Sequence, residues 1–120
     1  MAAKDELGSA GEARAVAHLT GLGYEVIDRN WRCPQGEIDI VARRGEELAV
    51  VEVKTRTSLN FGHPFEAIDE RKRRRLWQLA AAWLAEHREG PMPRRLRLHA
   101  IGIIGVDPAV GALEHLTDLR

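Results

Sequence analysis

Two short stretches in the first half of the chain alternate apolar and charged residues. They are Gly36-Glu37-Ile38-Asp39-Ile40-Val41 and Val50-Val51-Glu52-Val53-Lys54-Thr55-Arg56. Period-two alternation is the signature of a half-buried β-strand. On a strand, residues i and i+2 point to the same face, about 6.5 to 7 Å apart. Glu37 and Asp39 therefore share a face, as do Glu52 and Lys54, while Ile38, Ile40, Val51 and Val53 point the other way, into a core. Arg43-Arg44-Gly45-Glu46 lies between the strands and reads as a hairpin turn. If the two strands pair, three carboxylates and one ammonium converge on one face. Carboxylates are hard oxygen ligands suited to Mg²⁺ or Mn²⁺. A lysine beside them can orient or deprotonate a water, or hold a phosphate. The same pattern also allows a plain solvated face with cross-strand ion pairs.

The chain has 120 residues, enough for one domain with one modest core. We read residues 1–120 as a single domain with its core at about 8–106. Hydrophobic residues make up 44% and charged residues 30%, in the normal range for a globular protein. No apolar run approaches the roughly 18 residues of a membrane span, and Met1 to Leu7 has no apolar core of the signal-peptide kind. The single cysteine, Cys33, cannot form an internal disulfide, so a cytoplasmic location is expected, with no membrane partner. No Cys/His cluster has zinc spacing.

Net charge is zero, but the signs are segregated. Arg71, Lys72, Arg73, Arg74 and Arg75 are consecutive, and Arg94, Arg95 and Arg97 follow. This suits a protein that holds cations in one place and phosphates in another. Of 18 cationic residues only Lys4, Lys54 and Lys72 are lysine, which leaves 15 arginines. A position that stays lysine against that bias needs what an amine gives: a compact charge, and a pKa that burial can lower.

Periodicity predicts a first helix from Ser9 or Ala10 to about Leu22, with Ser9 and Glu12 as a capping box. A strand follows at about 24–29, then the hairpin strands near 36–42 and 48–55. Residues 57 to 65 read as a loop. A second helix runs from an Asp69 cap to about His87, with Leu76, Leu79, Ala80, Trp83 and Leu84 on its apolar stripe. Strands at about 96–106 and 112–116 close the chain. The order α-β-β-β-α-β-β implies a mixed α/β domain with a central sheet flanked by helices.

Asp39, twelve intervening residues, then Glu52-x-Lys54 matches the D-(x)n-E-x-K signature of restriction-endonuclease-like nucleases. Gly11-Glu12, Gly21-x-Gly23-Tyr24, Asn30-x-Arg32, Gly36-Glu37-Ile38-Asp39 and Val51-Glu52-Val53-Lys54-x-Arg56 occur in that order. Together they resemble the YraN-like bacterial family, which is grouped with restriction-endonuclease-like (PD-(D/E)xK) folds and Holliday-junction resolvases. Gly62 and Lys72 also fall where that family tends to have Gly and Lys. The likeness spans about residues 8 to 104. At one place the chain departs: the family often shows Arg-Phe-Asp where this chain has Arg97-Leu98-His99.

The resemblance implies a restriction-endonuclease-like fold and metal-dependent hydrolysis of phosphodiester bonds in DNA or another nucleic acid. Asp39 and Glu52 would hold Mg²⁺ or Mn²⁺, with Glu12 as a third ligand. Glu37 would assist, unless it pairs with Arg56 or an arginine of the second helix. Lys54 would orient the attacking water. For Glu12 the cap to Ser9 is the competing role. Junction-cutting relatives make paired cuts, which implies a homodimer. The run Arg71, Lys72, Arg73, Arg74, Arg75 sits near a helix N-terminus, where the macrodipole disfavours positive charge unless an anion is close. With Arg56 it is the expected phosphate-binding set. Trp31 and Trp77 are the candidates for stacking on bases. The alternative function is a nucleic-acid-binding module of the same fold that does not cut.

Overall fold

The structure, a computed structural model, describes residues 3–60, 62–87, 90 and 93–119. Helix α1 spans Ala3–Gly21 and is followed by strands β1 (Glu25–Cys33), β2 (Gly36–Arg44) and β3 (Glu47–Arg56). A 3₁₀ turn at Pro64–Ala67 leads to α2 (Glu70–Glu86), β4 (Arg95–Ile104) and β5 (Ala112–Leu116). The strands form one sheet in the order β1-β2-β3-β4-β5. All neighbours are antiparallel except β3 and β4, which run parallel. A parallel pair needs a crossover, and α2 provides it. The mixed α/β order expected from the sequence is the one observed. Among the described residues no helix is long and apolar enough to cross a membrane.

Two apolar clusters lie on opposite faces of the sheet. Ala15 and Leu19 of α1 pack with Tyr24, Ile40, Ala49, Val51, Ile101 and Ile103. Leu76, Leu79, Ala80 and Trp83 of α2 pack with Val41, Leu48, Val50, Leu98 and Ala100. Strand β3 is thus covered on both sides. This explains the unbroken apolar run Leu48–Val51, which a one-sided strand would interrupt with polar residues.

Three expectations are corrected. Helix α1 begins at Ala3, so Ser9 lies inside it and the Ser9–Glu12 capping box does not form. The hairpin turn is only Gly45-Glu46, because pairing continues to Arg44↔Glu47, with Gly45 at φ +60°. Ile38 does not share a face with Ile40: it packs on the α2 side and Ile40 on the α1 side. Strict alternation fails at Asp39, between them. The β2–β3 ladder ends at Ile40↔Val51. On the other side Arg29↔Ile40 and Trp31↔Ile38 bracket Asn30, whose φ of +53° twists β1 locally.

Helix α1 sits close enough to β3 that one residue has no room for a side chain. A Cβ at Gly11 would stand 2.3 Å from Thr55 Oγ1. Threonine is restricted at χ1, so Thr55 yields poorly. Gly11→Ala should cost about 1–3 kcal/mol of overpacking, against up to about 1 kcal/mol gained from alanine's helix propensity. The melting temperature should fall, and adding Thr55→Ala should remove most of the penalty. Additive effects in that double-mutant cycle would show that the Gly11–Thr55 approach does not set the helix position.

Candidate active site

Where the β2–β3 ladder ends, a carboxylate replaces a backbone acceptor. Asp39 Oδ2 accepts the Val53 N–H at 2.8 Å. The strands part here, and Glu52 lines the gap, only 4% exposed. Lys54 Nζ and Lys72 Nζ each lie 3.3 Å from Glu52 Oε1. Burial raises the Asp39 carboxyl to about 7, and the negative charge of Glu52 adds to the effect. The Val53 N–H opposes the rise, while Glu12 and Glu37 add to it. Asp39 therefore feels all three neighbouring carboxylates that the sequence placed in the site.

Glu12 reaches this region from α1. Its Oε1 is buried and has no hydrogen-bond partner, with Arg29 Nε 3.7 Å away. Burial raises its pKa; Arg29 and Asn30 oppose this, and Glu37 adds to it. Glu37 pairs with Arg32, whose Nε lies 3.6 Å from its Oε2. Its ion-pair partner is thus on β1 rather than Arg56 or α2. Among the described residues no three Asp, Glu, His or Cys side chains converge as a closed metal cage. The donor set is two adjacent carboxylates, one with a raised pKa, and a third with an unsatisfied oxygen. Asp39, Glu52 and Glu12 are the residues that could hold a hard cation keeping several of its waters, as Mg²⁺ does.

The basic run divides into separate roles. Asp69 caps α2, its Oδ1 accepting the Lys72 N–H at 2.8 Å. Lys72 turns to Glu52. Arg73 Nη1 donates to the Ile68 carbonyl at 3.2 Å. Arg71, Arg74 and Arg75 are exposed, and their spacing puts them on one stripe of the helix. Arg56 closes β3 half-buried, its Nη1 3.5 Å from the Thr55 carbonyl. Trp77 is exposed. Trp31 packs against the α2-side core and edge-on to His87.

A sequence model of the family described as "Uncharacterised protein family UPF0102" matches residues 11–103. The chain belongs to the UPF0102 family. A UPF0102 protein of Paenarthrobacter aurescens is 50% identical over 116 residues, covering 97% of this chain and 94% of that protein. One from Beutenbergia cavernae is 49% identical over 116 residues, 97% of each. One from Frankia casuarinae is 52% identical over 87 residues, 72% of this chain and 74% of that protein. This is the family the sequence resembles. The matched span holds every acidic and basic residue of the site described above.

Four residues of this UPF0102 chain take places that its sequence does not specify. Lys72 was grouped with the phosphate-binding cations, yet it sits on Glu52. Arg29 and Asn30 flank Glu12; Asn30 belongs to the Asn30-x-Arg32 pattern, whereas nothing in the sequence marks Arg29. His99 is fully buried on the α1 face, away from Glu52. Its Nε2 is 3.0 Å from Glu47 Oε2, and its Nδ1 is 2.9 Å from His115 Nε2. His115 Nδ1 is 3.1 Å from His18 Nε2, and the Tyr24 hydroxyl donates to Glu47 Oε2 at 2.6 Å. A carboxylate only accepts, so the Nε2 of each histidine carries the proton and every bond points toward Glu47. The departure at position 99 thus leaves the acidic site untouched.

This chain of imidazoles sets a pH dependence. Burial lowers the pKa of His115 to about 4, and His99 and His18 add to the fall. Burial lowers the other two as well. Each folded-state value lies below the unfolded one near 6.5, so the stabilisation is complete above pH 6.5 and is lost as pH falls toward about 4. His115→Gln keeps a donor and an acceptor without titrating. The melting temperature of the wild type should fall more steeply than that of His115→Gln between about pH 6.5 and pH 4. Parallel curves would show that the chain is not protonated on unfolding.

Proposed function

We propose that this domain is a metal-dependent nuclease of the restriction-endonuclease-like class that hydrolyses phosphodiester bonds, with DNA as the first substrate to test. The observation that carries the reading is the half-buried Asp39, whose raised pKa feels the charge of the buried Glu52, with Lys54 Nζ 3.3 Å from Glu52 Oε1, at the point where two strands separate. A structural ion pair does not need a neighbouring carboxyl with a raised pKa, as Asp39 has, whereas functional sites collect such groups. When bound, Mg²⁺ or Mn²⁺ would polarise a phosphoryl oxygen and lower the pKa of a bound water. Asp39 and Glu52 orient that region, Glu12 and Glu37 keep it acidic, and Lys54 holds the attacking water or the phosphate. Paired cuts would need two such sites, hence a homodimer.

Incubation with branched, duplex and single-stranded substrates, in Mg²⁺, Mn²⁺ or EDTA, tests the reading. Lys54→Ala and Glu52→Ala should each remove most cleavage, on the order of 10²-fold or more, while melting curves stay cooperative. Lys54→Arg should not rescue, because a guanidinium stays charged and is neither compact nor a base. Cleavage unaffected by EDTA, or surviving Glu52→Ala, would sink this assignment.

One observation favours the second reading, a module that binds without cutting. Glu52 is already neutralised by two ammoniums, so it does not require a metal to be stable. Calorimetry separates the two: a cutting enzyme binds Mn²⁺ at millimolar levels or below, and loses that binding in Glu52→Ala.

Both readings need phosphate contacts from the exposed stripe of α2. Phosphate contacts position a substrate without reading its sequence. Each contributes about 0.9 to the slope of log K against log salt on duplex DNA. Replacing Arg71, Arg74 and Arg75 with Gln should lower affinity on every substrate and flatten that slope by up to about two to three units. An unchanged slope would return the stripe to a merely solvated helix face.

A further inference from the structure

Lys72 differs from the cations around it. Arg71, Arg74 and Arg75 face solvent, and Arg73 is turned to a backbone carbonyl. Lys72 alone crosses to the acidic gap, where its Nζ meets the same Glu52 oxygen, at the same 3.3 Å, as Lys54 Nζ. The Glu52 side chain is 6% exposed, while the two lysine side chains remain 28% and 29% exposed. Each ammonium therefore has one side on the carboxylate and another open to solvent.

A pair built only for stability has no use for a second ammonium on one oxygen, because the two cations repel. Asp39, Glu12 and Glu37 supply the negative charge that makes the arrangement tolerable. That balance ends when a divalent cation takes Glu52: both ammoniums then face a neighbouring double charge, and one must withdraw. Lys54 is tethered two residues along the same strand. Lys72 hangs from the first turn of α2 on a flexible four-carbon stem, beside the arginine stripe.

We propose that Lys72 is a second functional lysine of the site, an exchangeable counter-ion that holds Glu52 until cation and substrate enter and then transfers to the reacting phosphate. This rests on the nuclease reading above and adds to it a residue and a direction of movement. Lys72 then has opposite effects on two measurable steps. It competes with metal for Glu52, and it stabilises the charge that develops on the phosphate.

Calorimetric titration of the full chain with Mn²⁺ measures the first step, and cleavage of labelled DNA at saturating Mn²⁺ measures the second. Lys72→Gln should bind Mn²⁺ more tightly by about tenfold, the scale of one like-charge contact relieved in a partly screened site. The same variant should cut roughly 10²-fold more slowly, the scale of losing one charge-stabilising donor. Lys72→Arg should return Mn²⁺ affinity toward wild type and recover part of the rate. Circular-dichroism melts of each variant check that the fold is kept. A residue that only braces α2 would weaken both steps together, and a residue that only tethers substrate would leave Mn²⁺ affinity alone; either result overturns the exchange. Wild-type protein that binds Mn²⁺ and cuts, with Lys72→Gln cutting equally well, defeats the Lys72 role and leaves the nuclease reading standing. Wild-type protein that binds no Mn²⁺ defeats both.

Discussion

The hydrogen bond from the Val53 N–H to Asp39 Oδ2 takes the place of a rung in the β2–β3 ladder. A buried backbone donor left without a partner costs about 1–3 kcal/mol, so the strands can separate here only if something else accepts that proton. Asp39 does so with a side chain, and the side chain keeps its second oxygen for other partners. The separation creates the gap, and the gap brings Glu52 and Asp39 together at its wall. The consequence is electrostatic strain: burial, with the charge of Glu52 adding to it, pushes the Asp39 carboxyl up to about 7. Cores shaped by stability alone would place apolar residues there. The strain is localised at one end of β3, while the same strand is wholly apolar between Leu48 and Val51.

Covering β3 from both sides is what turns that gap into a site. From the α1 side, Gly11 packs onto Thr55, and the next residue along the helix, Glu12, is thereby brought toward Asp39. From the α2 side, the Asp69 cap fixes the first turn of the helix and with it Lys72. The acidic and basic components therefore come from four elements, α1, β2, β3 and α2, that meet at one strand end. The close approach at Gly11 and the cap at Asp69 are stability features whose effect is positional: each sets the register of a helix, and each helix delivers one charged group. The mixed sheet serves the same end, because the parallel β3–β4 pair requires a crossover and α2 lies in it.

Features governed by near neighbours were legible in the sequence. The Asp69 cap and the apolar stripe of α2 depend on residues three and four apart, and β5 at 112–116 was placed to the residue. The Glu52/Lys54 face follows from period two alone. Features that depend on distant partners were not legible. The face of Ile38 does not follow from alternation, which presumes a continuous ladder, because this ladder stops at Ile40↔Val51. The start of α1 was set too late because Ser9 resembles a cap, while the residues before it, Lys4-Asp5-Glu6-Leu7, carry no helix breaker to oppose extension to Ala3. Lys72 and Glu52 are twenty positions apart and on different elements, so no local rule connects them. His18, His99 and His115 form a chain only because α1, β4 and β5 meet on one face of the sheet.

That chain also constrains what can stand at position 99. Glu47 Oε2 already accepts from Tyr24, and it lies 3.0 Å from His99 Nε2 in a buried setting. A neutral histidine supplies a proton to this oxygen without adding charge. An aspartate at 99 would set its carboxylate directly against that of Glu47. One of them would then have to hold a proton, or position 47 would have to become a donor. His115 would lose its acceptor at His99 Nδ1 only if the new side chain could not reach it, and a carboxylate accepts there without difficulty. The incompatibility therefore lies at Glu47 rather than at His115. Residues 47 and 99 form a unit in which exchange of one alters what the other must be, and Glu47 opens β3 whereas Asp39 and Glu52 lie beyond the point where the β2–β3 ladder ends. Variation at 99 is thus a matter of charge balance against Glu47, independent of the acidic gap at the other end of β3.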